Sequence, residues 1–332
     1  MIRLHAAVLI LLIFVSSNLY AAESDRLRTD AEKQAVFDQA VIDAEKCGNS
    51  FSVSYDSVPD FLVDEKNTLA LRKPTVEELK KSAATLVRLT KGMGRVDVPK
   101  AFSWQDQGKV TSVKYQGQYG TCWSFANIGV IESLVNINLG NEEDLSEQDL
   151  INLADSELNN ASNTYNYYCS ETHPSVLLIK YGAAFESDCP YQGDPQEPGN
   201  PDRKYRISIS FYVWMTDETA LNAWADYLGD STLKDPQAMI KYSLKKFGPM
   251  ETCVDGKCDG FQAYSSGVLN TQPGDDPWSG NHAVMLVGWD DAKQAWRIKN
   301  SWGTQWGEKG YAWIGYGCCN ILKYAVIQIY KQ

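Results

Sequence analysis

Apolar residues dominate the stretch from Trp123 to Leu139, and a run of this length predicts a buried α-helix. The predicted helix begins at Cys122, directly after Thr121, a residue type that often caps helix N-termini. A second apolar run starts at His282, and its composition predicts a β-strand. A shorter strand is predicted just before Asn300. These two strands and the helix carry the residues considered below for chemistry.

Periodic patterns predict the remaining elements. Polar and apolar residues alternate over 50–56 and 207–215, which predicts two further strands. Helical spacing of apolar residues, or a capping residue followed by helix formers, predicts helices in segments 25–45, 144–153, 216–232 and 235–249, and from Pro74 onward. At 332 residues and 44% hydrophobic composition, the chain is long enough for one large or two medium globular domains.

The N-terminal segment 1–22 has the pattern of a secretory signal. Arg3 precedes an apolar core over residues 6–15, and small and polar residues follow. The apolar core is too short to span a bilayer comfortably, so we expect cleavage and a product that is not membrane-bound. The alternative is an uncleaved anchor. The expected locations are secreted, endomembrane or lysosome-like, or periplasmic.

Composition narrows the possible partners. The formal net charge of −11 argues against a nucleic-acid partner. Eight cysteines behind a signal peptide indicate an oxidising destination and disulfides. Setting aside Cys122 and the N-terminal Cys47 leaves six, which permits up to three bridges; a bridge between Cys169 and Cys189 is one hypothesis. The six have no regular metal-ligand spacing, so neither zinc nor any other cofactor is expected.

Cys122 is the candidate nucleophile. A thiol at a helix N-terminus faces unpaired N–H groups and the positive end of the helix dipole, which favours the thiolate. Six residues upstream, Gln116 offers an amide donor that can form an oxyanion hole with the Cys122 N–H. The alternative is that Cys122 is a buried structural cysteine, a common fate of a thiol in a core.

A base for this thiol has few candidates. The chain contains only His5, His173 and His282, and His5 lies in the predicted signal. His282 is the preferred base and His173 its rival. The side-chain carbonyl of Asn300 can accept a hydrogen bond from an imidazole N–H and fix its orientation, and Trp302 can shield that bond from water.

Three stretches together resemble the active-site motifs of the papain family of cysteine peptidases. They are Gln-Gly-x-x-Gly-x-Cys-Trp at 116–123, Asn-His-Ala-Val at 281–284, and Lys-Asn-Ser-Trp-Gly-x-x-Trp-Gly-x-x-Gly-Tyr at 299–311. The resemblance extends from about Val98 to the C-terminus, although Tyr119 stands where the family usually has a cysteine. It implies an α+β fold in which a helical half holds Cys122 and an antiparallel, barrel-like half holds His282 and Asn300, with a cleft between them.

The resemblance also implies a division of the chain. Residues 98–332 would form the peptidase domain, and residues 23–97 a helical propeptide that blocks the cleft until it is removed. The alternative for 23–97 is a small accessory domain. The expected partners are polypeptide substrates and the chain's own propeptide, with neither nucleic acid nor membrane, and the expected oligomeric state is a monomer.

Substrate contacts follow from the same resemblance. Tyr324 would close the pocket for the residue two before the scissile bond and favour small or medium apolar side chains, whereas Lys323 would favour acidic ones. Glu171 and Thr172 replace the Gly-Gly pair that lines the family's cleft. Since an occluding loop with paired histidines is absent, endopeptidase is the expected activity. The other predicted substrate-binding residues are His173, Pro174, Cys253, Gly280, Asn281 and Trp302.

Two alternatives to a peptidase remain open at this stage. An acyltransferase with the same Cys-His pair would use an amine in place of water. A non-catalytic binding module would keep the scaffold and lose the chemistry, in line with the departures at Glu171, Thr172 and Tyr119. The intact set of Cys122, His282, Asn300 and Gln116 favours the peptidase.

Overall fold

The computed structural model describes residues 27–61, 96–157, 174–214, 218–271 and 280–330, together with the single positions 77, 84 and 88. The predicted signal peptide, most of the helix predicted from Pro74, and the residues His173, Cys169, Glu171 and Thr172 lie outside these ranges. Within the described part of the chain, no helix is long and apolar enough to cross a membrane. In the same part, no group of three or more histidine, cysteine, aspartate or glutamate side chains is arranged to hold a metal ion.

The helices confirm most of the periodic patterns. They are α1 (Asp30–Lys46), α2 (Cys122–Leu139), α3 (Glu147–Glu157), α4 (Ser175–Lys180), α5 (Glu218–Leu228) and α6 (Pro236–Phe247). Helix α2 is buried on every side from Cys122 to Asn136, which explains why apolar residues dominate its sequence. Helix α6 begins as predicted, because the Asp235 carboxylate accepts a hydrogen bond from the Ala238 N–H and Pro236 occupies the first turn.

The strands form one large sheet and a short separate ladder. In chain order they are β1 (Phe51–Val53), β2 (Ala101–Ser103), β3 (Ala183–Ala184), β4 (Arg203–Tyr205), β5 (Ile207–Trp214), β6 (Met250–Val254), β7 (Tyr264–Leu269), β8 (His282–Asp290), β9 (Ala295–Lys299), β10 (Tyr311–Gly315) and β11 (Tyr324–Tyr330). The large sheet has the order β1-β7-β10-β9-β8-β6-β11-β5, and β2 pairs with β8. The expected antiparallel pairing holds except between β7 and β10, which run parallel.

Strand β8 joins the two halves of the fold. Its residues Ala283, Met285 and Val287 belong to the core of the helical half, together with Cys122 and the apolar side chains of α2 and α3. The intervening residues Val284 and Leu286 belong to the core of the sheet half. Because successive side chains of a strand point to opposite faces, a strand buried on both faces must be apolar throughout. This position explains the uninterrupted apolar run after His282.

Four charged side chains cluster at one face of α2, three of them buried and Lys114 partly buried. Lys114 Nζ lies 3.0 Å from Glu132 Oε1 and 3.0 Å from a Glu147 carboxylate oxygen, and it also contacts the exposed Asp144. Lys299 Nζ donates to Thr111 Oγ1 (3.2 Å), and the Thr111 hydroxyl donates to Glu132. We call Lys114, Glu132, Glu147 and Lys299 the buried charge cluster. The cluster connects the segment between β2 and α2, which carries Lys114, to α2, α3 and β9.

One disulfide joins described cysteines. Cys258 and Cys319 are bonded, with 61 residues of separation and Cα atoms 5.4 Å apart. The bond ties the loop after β6 to the turn before β11. The hypothesis of a Cys169–Cys189 bridge falls partly outside the described residues; the Cys189 sulfur accepts a 3.7 Å contact from Asn152 Nδ2.

Candidate active site

Cys122 is the first residue of α2, as predicted, and it is 1% exposed. Its sulfur accepts a hydrogen bond from the Ala283 N–H at 3.3 Å. This contact places the thiol at the start of strand β8, where Ala283 directly follows His282. Thr121 is the N-cap residue, but its side chain makes no hydrogen bond to the helix N–H groups, contrary to the expectation from its residue type.

His282 and Asn300 are hydrogen-bonded, as expected. His282 Nε2 lies 2.7 Å from Asn300 Oδ1, and the same oxygen accepts from the Ser301 N–H at 2.8 Å. A backbone N–H can only donate, so the atom facing it must be the side-chain oxygen of Asn300. His282 Nε2 must therefore carry a proton, which leaves Nδ1 as the ring nitrogen available to act as a base.

Aromatic rings surround this hydrogen bond. The Trp302 ring lies 4.7 Å from the His282 ring between centroids, at a tilt of 33°, and Phe261 lies 6.1 Å from it. Trp302 is 5% exposed and Asn300 is 3% exposed. The rings exclude water from the His282–Asn300 pair, which strengthens an electrostatic contact between them.

Gln116 is fixed through each of its polar groups. Its N–H donates to Ser301 O (2.9 Å), and its side-chain oxygen accepts from Ser301 Oγ (2.5 Å). Its amide nitrogen donates to Tyr119 O (2.7 Å), and its backbone oxygen accepts from the Tyr191 hydroxyl (2.7 Å). An amide nitrogen has two protons, so one remains for a developing oxyanion. Ser301 thus connects Asn300 to Gln116.

Burial governs the ionisation of the Cys-His pair. It raises the pKa of the Cys122 thiol to about 12, although N–H groups, that of Ala283 first, act in the opposite direction. Burial likewise lowers the pKa of His282 to about 4, against the effect of its bond to Asn300. Burial thus favours the neutral thiol and the neutral imidazole, whereas the N–H groups around the sulfur favour the thiolate and the bond to Asn300 favours the imidazolium.

Two predicted substrate-binding residues, Cys253 and Tyr324, lie in one row with Ala283 across three strands. Cys253 on β6 is paired with Ala283 on β8, and the pairing of β6 with β11 brings Tyr324 next to Cys253. Residues directly opposite each other in antiparallel strands project to the same face. Tyr324 is 3% exposed.

The other predicted contacts are distributed around the site. Asn281 donates to Asp255 Oδ1 (3.0 Å) and accepts from the Gly256 N–H (2.7 Å), and buried Gly280 precedes it. Pro174 is the N-cap of α4. His173, the rival base, lies outside the described residues.

Sequence reasoning missed three residues of the site. Ala283 supplies the N–H that meets the thiol, Ser301 orients Gln116, and Tyr191 contacts the backbone of the nucleophile loop. Ala283 and Ser301 are adjacent in sequence to His282 and Asn300, which is a signal that could have identified them. Tyr191 carries no such signal, because 75 residues separate it from Gln116.

Comparisons with known proteins agree with this geometry. The model of the papain family cysteine proteases matches residues 98–329. Cathepsin L of Sarcophaga peregrina is 30% identical over 267 residues, covering 79% of this chain and 73% of its own. The bromelain protease of Ananas comosus, solved with the E64 inhibitor, is 29% identical with a TM-score of 0.55, covering 70% of this chain and 99% of its own. Digestive procathepsin L 3 of Tenebrio molitor shares the fold at 23% identity and a TM-score of 0.63, covering 90% of each chain. The chain therefore belongs to the papain family of cysteine proteases and is a cysteine-type peptidase.

Proposed function

We propose that this cysteine peptidase is an endopeptidase in which Cys122 is the nucleophile and His282 its acid–base partner. Asn300 orients the imidazole, and Gln116 and the Cys122 N–H bind the oxyanion. The observation that carries this assignment is the 2.7 Å bond between His282 Nε2 and Asn300 Oδ1, since it leaves Nδ1 as the basic nitrogen at the start of β8. The Ala283 N–H holds the thiol at the same point.

In the proposed reaction the Cys122 proton resides on His282 Nδ1, which gives a thiolate–imidazolium pair, and the thiolate attacks the carbonyl carbon of the scissile bond. His282 then protonates the leaving amine, and the acyl group remains on sulfur as a thioester. Water, deprotonated by His282, cleaves the thioester and restores the thiolate. Each oxyanion donor contributes about 3–4 kcal/mol to the stabilisation of the tetrahedral intermediate.

The proposed substrate is an extended polypeptide. Tyr324, Cys253 and Ala283 form a row that supports a short apolar pocket for the residue two before the scissile bond. The buried phenol ring of Tyr324 shortens this pocket, so small and medium apolar side chains fit it best. Lys323 directly precedes Tyr324 and is partly exposed. The alternative preference for acidic side chains, which depends on Lys323, is therefore less well supported than the apolar preference.

The proposed precursor is an exported zymogen in which residues 23–97 cover the cleft. Strand β1 of this segment pairs with β7 of the peptidase domain, and Phe51 lies opposite Gly267. Gly267 has a φ of +89°, and a Cβ there would lie 2.7 Å from Ser50 O, so only glycine admits the approach of β1. Two hydrogen bonds anchor neighbouring positions, from the Val268 N–H to Ser50 O and from the Ser54 N–H to Ala263 O, both 2.8 Å.

Phe61 brings the same segment to the active site. Its ring lies 5.6 Å from that of Trp302 in an edge-to-face arrangement and 6.5 Å from that of Tyr115, and it is 4% exposed. Trp302 in turn covers His282. A propeptide role for this segment accounts for the Phe61–Trp302 contact, because Phe61 covers Trp302 and Trp302 covers His282. Phe61 therefore helps to keep water from the Cys-His pair.

Phe61→Ala is expected to weaken the packing of residues 23–97 against the active site in the uncleaved chain. Truncating a buried aromatic side chain at an interface costs about 2 kcal/mol or more, so the open population should rise by about 30-fold. The measurement is the rate at which an epoxysuccinyl peptide labels Cys122 before any cleavage. Ile42→Ala on the exposed face of α1 is the matched control, because Ile42 is 47% exposed. Equal labelling of both variants would contradict the role of Phe61.

The proposed function is tested by labelling the processed and reduced protein with the same epoxysuccinyl probe. We expect a single adduct, located at Cys122 by mass spectrometry, that appears only after residues 23–97 are lost. Cys189→Ala is the control, since this thiol is partly exposed and distant in sequence. Labelling of the uncleaved parent chain as fast as that of the processed protein would make 23–97 an accessory domain. A folded, processed protein that takes no label at Cys122 would refute Cys122 as the nucleophile.

A further inference from the structure

Thr121, the N-cap residue of α2, bonds to a tyrosine hydroxyl and not to the helix N–H groups. A threonine at this position commonly accepts a hydrogen bond from the N–H of the second or third helical residue. Thr121 does not, and its φ of −102° and ψ of 12° differ from the extended backbone of most N-caps. Its hydroxyl lies 2.7 Å from the Tyr191 hydroxyl instead.

The two hydroxyls form a directed chain. The Tyr191 hydroxyl lies 2.7 Å from the backbone oxygen of Gln116, which can only accept. Tyr191 has one hydroxyl proton, and that proton is used on Gln116. Thr121 must therefore donate its own proton to Tyr191. The chain links the residue before the nucleophile to the residue that supplies the oxyanion amide.

Packing fixes the position of the Tyr191 ring. Its N–H donates to Glu186 Oε1 (2.8 Å), and its ring packs edge-to-face on Phe125 at 4.9 Å and on Tyr119 at 6.4 Å. Tyr119 lies over Gly193, where φ is +92° and a Cβ would be 2.1 Å from the Tyr119 ring. Glycine at 193 is thus required for Tyr119, which supports Tyr191 in turn.

We propose that Tyr191 is a positioning residue for the Cys-His chemistry: it draws the Thr121 hydroxyl away from the first N–H groups of α2 and leaves them for the Cys122 sulfur. The same hydroxyl fixes the backbone of Gln116. The inference rests on the function proposed above, because it assigns Tyr191 a task only if Cys122 reacts as a thiolate.

The surroundings of the sulfur support this role. Burial disfavours the Cys122 thiolate, and the N–H groups of Ala283, Trp123 and Cys122 itself oppose that effect. The Trp123 N–H is one of the groups that a capping Thr121 hydroxyl would compete for. Among the other ionisable groups, Glu251 acts on the Cys122 thiol, and His282 directly precedes Ala283, whose N–H meets the sulfur. Glu147, Tyr119 and Cys122 act on the Tyr191 hydroxyl, and Glu186 accepts from the Tyr191 N–H.

The test is the pH dependence of Cys122 alkylation in the processed enzyme, measured with iodoacetamide. In Tyr191→Phe the Thr121 hydroxyl is released to cap α2, so the midpoint of the rising limb should move up by about half to one pH unit. The kcat of peptide hydrolysis should fall about five- to tenfold with KM nearly unchanged. Tyr181→Phe is the matched control, because the Tyr181 hydroxyl bonds to Glu157 at the surface.

Combining Tyr191→Phe with a substitution of Thr121 separates the proposed effect on the Thr121 hydroxyl from a simple packing effect of Tyr191. In Thr121→Val there is no hydroxyl to release, so adding Tyr191→Phe should leave the midpoint where Thr121→Val alone puts it. Thr121→Asn supplies a capping carbonyl by another route and should raise the midpoint without any change at Tyr191. This variant keeps the test decisive if Tyr191→Phe does not fold.

Three outcomes would overturn the proposal: an unchanged midpoint in folded Tyr191→Phe, an equal shift in the Thr121→Val background, or an unchanged midpoint in Thr121→Asn. Alkylation requires no turnover, so the alkylation midpoint can be measured separately from peptide hydrolysis, and a failure of the inference can be distinguished from a failure of the proposed function. A wild-type enzyme that is alkylated at Cys122 and still hydrolyses peptides would refute the proposed function and leave the Tyr191 measurement interpretable.

Discussion

Replacing Cys122 with alanine should lower the hydrolysis of an unstructured polypeptide by about 10³-fold or more, because the sulfur both attacks the carbonyl and carries the acyl group. The residual rate would come from Gln116, the Cys122 N–H and substrate binding. The measurement is initial rates with the processed enzyme at equal concentration. The thermal transition should stay close to that of the parent, since the change removes one buried atom.

The matched control is Cys189→Ala, which removes a partly exposed thiol beside Asn152 and should change the rate by less than about twofold. Retention of more than a tenth of the activity in Cys122→Ala would transfer the nucleophile to another residue. Adding a primary amine to the parent reaction separates hydrolysis from acyl transfer. A product that contains the amine as its main species would favour the acyltransferase alternative.

Lys114→Met should destabilise the protein by about 3–5 kcal/mol, since it leaves two buried carboxylates without their shared cation. Lys114 lies within 3.0 Å of both Glu132 and Glu147, and these carboxylates are only 1–2% exposed. Lys299 is the other cation of the buried charge cluster, and burial lowers its pKa. The measurement is the free energy of unfolding from urea denaturation. Lys293→Met is the control, because the Lys293–Asp290 pair is half-exposed and should contribute less than about 1 kcal/mol.

The cost of Lys114→Met should depend on pH. Burial raises the pKa of Glu147, whereas the Lys114 cation lowers it, so loss of Lys114 leaves the raising effect unopposed. A raised pKa means that the folded state binds the proton more tightly, so the stability it provides is present below the ordinary value of 4.5 and is lost as the pH rises through the folded-state pKa. A neutral carboxyl needs no cation, and the destabilisation should therefore be smaller at pH 5 than at pH 8. Equal destabilisation at both values would contradict the assignment.

Those parts of the site that lie within one short segment of the chain could be predicted from the sequence. The buried helix at Cys122, the strand at His282 and the position of Asn300 directly after β9 follow from apolar runs and their ends. The contact between His282 and Asn300 could be anticipated because these residue types have complementary donors and acceptors.

Other features depend on the folded surroundings. The Thr121 hydroxyl leaves the helix because Tyr191, 70 residues later, competes for it. The ionisation of Cys122 follows from its burial, which a helix-terminus argument does not include. The parallel pairing of β7 and β10 and the shared contacts of Lys114 arise from segments far apart in the chain. No pattern within one segment encodes such contacts.

Strand β7 pairs with β10 on one side and with β1 on the other. In the proposed processed form, which lacks residues 23–97, β7 is an edge strand with unpaired N–H and C=O groups, and such edges pair with further extended chains, including copies of the same protein. The left-handed backbone at Gly267 and the shortness of the strand limit how long an added chain can be. The proposed processed form is thus expected to self-associate more readily than the uncleaved chain, in which β1 covers this edge.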